Sequence, residues 1–176
     1  MNIEISIRIA TKTETPKILD VINYSYNTFK NTIPANCGFN ITLDELNEIV
    51  ADPCSMVWLA IHDNNIVGVA AGSFYSPKSY HLKLLFVSEN IQRNGVGELL
   101  LIVFEKYGKE NDCCLFTTNY QKWAPWSGKF YIKHGYNEYI PGDEMNTSEL
   151  QETVIMRKKI GKLNNNDKCF VWKNVK

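Results

Sequence analysis

One segment combines residue types and spacing suited to binding an anion: Phe86-Val-Ser-Glu-Asn-Ile-Gln92-Arg93-Asn94-Gly95-Val96-Gly97-Glu98-Leu-Leu. It reads as a strand end, a polar turn, a glycine pair and the start of an apolar helix. The first N–H groups of a helix have no carbonyl partner inside it, and the aligned peptide dipoles leave partial positive charge there. Such a terminus favours a phosphate or pyrophosphate. Glycine at 95 and 97 removes side chains that would hold phosphate oxygens away from the backbone. Gln92 and Arg93 offer further donors. Two glycines alone also suit an ordinary turn between strand and helix. The segment is no P-loop, because G-x-x-x-x-G-K-[S/T] is absent, and it holds only two of the three glycines of G-x-G-x-x-G.

The other reactive atoms are thiols. Cys37, Cys54, Cys113, Cys114 and Cys169 are odd in number and form no C-x-x-C pair. That spacing argues against a disulfide framework and against a zinc site, so no metal is expected. Cys113 and Cys114 read as reduced thiols acting as small apolar residues, on opposite faces if extended.

These residues need a scaffold, and the chain is long enough to build one. It has 176 residues, 44% of them apolar, with 19 basic and 19 acidic side chains. One compact domain over 1–160 is the expectation, with 161–176 as a tail or an extra edge strand. Zero formal charge removes bulk attraction to nucleic acid or anionic membrane. No apolar run approaches the roughly 18 residues of a spanning helix, and the start of the chain lacks the apolar stretch of a signal peptide. A soluble, cytoplasmic protein is expected.

Ile3, Ile5, Ile7 and Ile9 alternate as in a half-buried strand. Thr15-Pro16 opens a helix carrying Ile18, Leu19, Ile22, Tyr26 and Phe29, and residues 31–40 read as a loop. Thr42-Leu-Asp-Glu45 is a capping box that predicts a helix over 43–51, closed by Asp52-Pro53. A hairpin pairs 57–62 with 66–74 around Asp63-Asn64-Asn65. A strand over 79–87 precedes the glycine segment, and 98–107 is apolar nearly all round, as in a buried helix. A strand over 113–118, a short helix over 129–134 ended by Gly135 and a late strand over 152–157 complete a mixed α/β order.

Val87-x4-Gln92-x-x-Gly95-x-Gly97 resembles the acyl-CoA signature [Q/R]-x-x-G-x-[G/A] of the GNAT N-acetyltransferase superfamily. Lys129-Phe130-Tyr131-Ile-Lys133-His-Gly135-Tyr136 looks like the same superfamily's F-Y-x-x-x-G-[F/Y] element. With the late strand Val154-Ile-Met-Arg157, the resemblance extends over roughly residues 5–159. It implies the GNAT fold, an α/β (mixed α+β) fold with a central, mostly antiparallel sheet of about six or seven strands flanked by helices. The fourth and fifth strands splay apart to admit acetyl-CoA. The pantetheine arm would pair with backbone at Leu85, Phe86 and Val87, and the pyrophosphate would sit on Arg93, Asn94, Gly95, Val96, Gly97 and Glu98, with Gln92 at the loop's start.

The implied activity is acetyl transfer from acetyl-CoA to a primary amine of a small molecule. Protein N-termini or lysines are the alternative acceptors, and a non-catalytic acyl-CoA sensor is the alternative class. Tyr131 matches the family's general acid, and a phenol with an ordinary pKa near 10 is protonated at neutral pH. His81 falls where several members carry a glutamate base, and histidine suits that work near neutrality. Glu45 and His62 are weaker candidates. Many relatives carry a cofactor-binding asparagine where Ala124 stands here. Lys122-Trp123-Ala-Pro125-Trp126-Ser127 instead resembles a P-W-[N/S]-x-x-F-Y variant, with Ser127 or Asn119 replacing that contact. Trp123 and Trp126 would line an acceptor pocket, stack on a ligand or simply fill space. Acceptor contacts are expected from 29–40 and 139–151, where Asp143, Glu144 and Glu149 would attract a cationic amine. Nothing in sequence activates Cys113 or Cys114 as nucleophile, so direct transfer is expected, in a monomer or homodimer.

Overall fold

The computed structural model describes residues 3–27, 33, 40–140 and 152–161. Cys37, Cys169, most of the expected acceptor loops (with Asp143, Glu144 and Glu149) and the tail beyond Gly161 lie outside them. Among the described residues the order is β1 (Ser6–Ile9), α1 (Thr15–Asn27), α2 (Leu43–Ala51), β2 (Ser55–His62), β3 (Asn65–Ser76), β4 (Ser79–Val87), α3 (Val96–Glu110), β5 (Leu115–Gln121), α4 (Pro125–Lys133), β6 (Asn137–Glu138) and β7 (Thr153–Lys159). The strands form a seven-stranded sheet in the order β1-β2-β3-β4-β5-β7-β6. The chain divides into two compact units. Met1–Ser73 and Leu82–Tyr107 make the first, and Phe74–His81 and Gly108–Lys176 the second.

Local chemistry explains several boundaries in the first unit. The Glu45 N–H donates to Thr42 Oγ1 (3.2 Å), and the Thr42 N–H donates to the Glu45 carboxylate (2.8 Å), so α2 begins where the capping box predicts. Asp63 and Asn64 turn the β2–β3 hairpin with φ of +47° and +61°, left-handed values that these two residue types tolerate. Ile18 and Ile22 of α1, Leu46 of α2, Val57 and Leu59 of β2, Val69 and Ala71 of β3 and Leu84 of β4 form one core. The period of two in β2 and β3 sends these side chains to the face bearing α1 and α2. Gly68 lies on the other face. A Cβ there would stand 3.0 Å from Leu100 Cδ1 and 3.3 Å from Val96 Cγ1, so α3 rests against bare backbone.

Helix α3 is not buried all round. Leu100, Leu101 and Phe104 are buried, whereas Leu99 is 40% exposed and Ile102 52%. A helix lying on one sheet face hides a single stripe, and apolar residues off that stripe stay in solvent.

In the second unit β5 and β7 pair antiparallel from Leu115↔Lys159 to Gln121↔Thr153, and β6 adds a short outer strand that the sequence reading lacked. The Cys114 and Leu115 N–H groups donate to the Lys78 carbonyl, both at 3.0 Å, and His81 Nδ1 lies 2.9 Å from Thr117 Oγ1. Residue numbers rise together along the two segments, so β4 and β5 run parallel here within an otherwise mostly antiparallel sheet. Helix α4 starts at Pro125 rather than 129, with proline at the first position, where no N–H is needed. No described helix is long and apolar enough to cross a membrane.

Gly108 packs closely against buried rings. A Cβ there would lie 2.4 Å from Phe116 Cε1 and 3.0 Å from Tyr80 Cδ1, and both rings are fully buried. Gly108→Val is therefore expected to destabilise the fold by about 1–3 kcal/mol through overpacking, read as a lowered denaturation midpoint in urea.

Candidate active site

The glycine segment folds into a braced loop in the first unit. The Ser88 N–H donates to the Val67 carbonyl (2.8 Å) where β4 ends, and Ile91 is buried in the following 3-10 turn. Gln92 Nε2 donates to the Val87 carbonyl (2.9 Å), and Asn94 Nδ2 donates to the carbonyls of Ile91 (3.2 Å) and Gln92 (3.1 Å). The two amide side chains thus tie the loop to itself.

Arg93 and Gly95 take left-handed φ of +64° and +79°. This turns the chain sharply into α3, whose first backbone bond runs from the Leu99 N–H to the Gly95 carbonyl (3.0 Å). The N–H groups of Gly95, Val96 and Gly97 therefore precede the helical ladder. Val96 is buried and anchors the helix start, while Arg93, Asn94 and Gly95 are exposed. A Cβ built on Gly95 meets no atom within 4 Å. The N–H groups of Gly95, Val96 and Gly97 at the helix start, the helix dipole and open space at Gly95 fit a pyrophosphate. Leu85, Phe86 and Val87 lead into this loop as half-buried residues at the end of β4.

The second unit holds the tyrosine. Gly135 (φ +85°) ends α4, with its N–H donating to the Ile132 carbonyl (3.0 Å) and the Tyr136 N–H to the Tyr131 carbonyl (3.0 Å). These two bonds make a Schellman cap. The cap's usual apolar contact is here the Tyr131–Tyr136 ring pair, with centroids 5.7 Å apart. The spacing of tyrosine, glycine and aromatic thus has a local physical cause: glycine supplies the left-handed turn, and the aromatic locks the turn that carries Tyr131. Tyr131 is 7% exposed, and its hydroxyl is hydrogen-bonded to the buried side chain of Thr118. Burial pushes its pKa up to about 12, against a smaller downward pull from Thr118. It is protonated across the physiological range.

His81 is 2% exposed, held by Thr117 and stacked on Tyr75 at 4.6 Å between ring centroids. Thr117 and Thr118 are successive residues of β5, so their side chains leave opposite faces of the sheet. His81 and Tyr131 consequently lie on opposite faces within this unit, a layout that alternation along β5 made readable but that motif matching passed over. The weaker base candidates already have structural partners. Glu45 caps α2, and His62 Nδ1 lies 3.0 Å from the Glu4 carbonyl oxygen.

Trp123 and Trp126 meet edge to face at 6.0 Å, and Trp126 is 38% exposed beside the start of α4. Ser127 is half-buried, with its N–H donating to the Ala124 carbonyl (2.9 Å), and Asn119 is a half-buried β5 residue opposite Ile155. Cys113 is buried and its thiol is pushed up to about 11, mainly by burial, so it is a poor nucleophile. Among the described residues no group of three or more His, Cys, Asp or Glu side chains is placed to hold a metal.

The chain carries an acetyltransferase (GNAT) domain, matched over residues 53–138. Its fold is similar to that of PaiA N-acetyltransferase from Thermoplasma acidophilum, solved in complex with coenzyme A, with a TM-score of 0.74 at 15% identity, covering 89% of this chain and 99% of that one. It is similar also to the ribosomal-protein-S18-alanine N-acetyltransferase of Escherichia coli, with a TM-score of 0.72 at 14% identity over 93% and 98% of the two chains. For Ard1 from Thermoplasma volcanium the TM-score is 0.71 at 17% identity, over 90% and 99%. No curated protein matches the sequence.

Proposed function

We propose that this chain transfers the acetyl group of acetyl-CoA directly to a primary amine, most readily that of a small molecule. The observation that carries the reading is the cradle at the start of α3: N–H groups of Gly95, Val96 and Gly97 ahead of the helical ladder, with open space at Gly95. These groups would hold the pyrophosphate, with the exposed Arg93 adding charge. Backbone at Leu85–Val87 would align the pantetheine arm, and a backbone N–H near Phe86 or Val87 would stabilise the oxyanion of the tetrahedral intermediate.

Tyr131 acts as general acid. Its phenol proton passes to the departing thiolate sulfur, and the amide bond stays on the acceptor. The amine's surplus proton leaves through water to bulk solvent, because His81 is buried on the other face of the sheet from Tyr131. His81 is thus assigned to the scaffold.

The experiment is thiol release from acetyl-CoA in the presence of polyamines, aminoglycosides, amino acids and short peptides. Release that depends on a small amine supports the reading. Release only with peptides assigns the activity to protein acceptors. Binding of acetyl-CoA with no amine-dependent release makes the domain an acyl-CoA sensor.

A further inference from the structure

We infer that Thr118 is a positioning residue for the proton-transfer step, holding Tyr131 from beneath and stabilising the phenolate that forms when Tyr131 gives up its proton. The inference rests on the general-acid reading of Tyr131. Thr118 is buried on β5, opposite Met156 of β7, and its side chain shares a hydrogen bond with the Tyr131 hydroxyl on the face that carries α4. Tyr131 is fixed from the other direction by the Schellman cap at Gly135 and the ring of Tyr136. Two rigid elements therefore meet at one phenol oxygen.

The direction of this bond matters for the chemistry. When the Thr118 hydroxyl donates to Tyr131 Oη, the phenol's own proton is left for the thiolate. Transfer breaks the tyrosine O–H bond and forms an S–H bond, leaving coenzyme A as thiol and Tyr131 as phenolate. Solvent then returns one proton, equivalent to the one lost by the amine, so the cycle balances. A buried phenol at about 12 is a weak acid toward a thiolate whose thiol ordinarily titrates at about 8.5. A donor on the phenolate oxygen lowers that uphill step, and burial makes the donor count for more than it would in water. Neighbouring Thr117 does not serve here, because it faces the other way and holds His81.

The test compares T118V, which keeps the shape and removes the hydroxyl, with T118S, which keeps the hydroxyl. The assay uses acetyl-CoA and whichever amine of the panel turns over fastest. T118V should lower kcat by about 10- to 100-fold, the range for a hydrogen bond to a charged group, with KM for acetyl-CoA unchanged. T118S should restore most of the rate. In a Y131F background T118V should have no further effect. An undiminished kcat in T118V, or an equal loss in the Y131F background, overturns the inference while leaving Tyr131 as the acid. An undiminished kcat in Y131F itself overturns the acid reading. Should T118V not fold, T118A carries the same comparison.

Discussion

Y131F is expected to lower kcat by about 100-fold, within the range for loss of a general acid, while KM for acetyl-CoA stays near its wild-type value. The substitution removes one oxygen from a side chain that is otherwise packed by Phe130, Tyr136 and the α4 cap. Shape is conserved, so the helix should keep its place. The Thr118 hydroxyl loses a partner in a buried site, and that costs about 1–3 kcal/mol of stability. The kinetic loss and the stability loss are separable. A thermal shift measures the second, while kcat at saturating acetyl-CoA measures the first. Because burial holds the phenol near 12, Tyr131 stays protonated through neutral pH, and the rate should not fall between pH 7 and 9 through loss of this proton. An alkaline limb in that interval would assign the acid to another group.

Gly95→Asp is expected to weaken acetyl-CoA binding by about 100-fold, equivalent to about 2.7 kcal/mol, without unfolding the chain. The position has φ of +79°, which most side chains resist, but Asp63 and Asp112 already adopt +47° and +61° in this molecule. Space is no obstacle, since a Cβ at Gly95 meets nothing within 4 Å. An added carboxylate would stand at the N-terminus of α3, where the helix dipole favours it, so thermal stability should hold. The same carboxylate would repel a pyrophosphate from the N–H groups of Val96 and Gly97. Stability and affinity thus respond differently to one substitution, a pattern that loss of the fold would not produce. Calorimetric titration with coenzyme A, alongside a melting curve, checks both halves.

The parts legible in the sequence are those whose cause is local. The Thr42–Glu45 box set the start of α2, and Asp63-Asn64 marked a turn that both residues can make without glycine. Gly95 and Gly135 each sit at a left-handed position that glycine occupies without strain. The parts that periodicity missed depend on distant neighbours. Leu99 and Ile102 looked as apolar as Leu100 and Leu101, and only the one-sided packing of α3 separates them. The two-residue strand β6 exists because β7 offers an edge, and no pattern that short announces itself. His81 reads as a base candidate only through the family resemblance. Its actual surroundings come from Tyr75 on β3 and Thr117 on β5. Thr118 gave no signal of its own until β5 placed it beneath Tyr131.

An acetyltransferase must leave the acetyl group of acetyl-CoA on the amine. The most direct measurement is the mass of each amine in the panel after incubation with isotopically labelled acetyl-CoA and the purified protein. One amine carrying the labelled acetyl group, formed in step with free coenzyme A and suppressed by Y131F, is the expected result. Unlabelled amines throughout, in a protein that still binds acetyl-CoA, would contradict it.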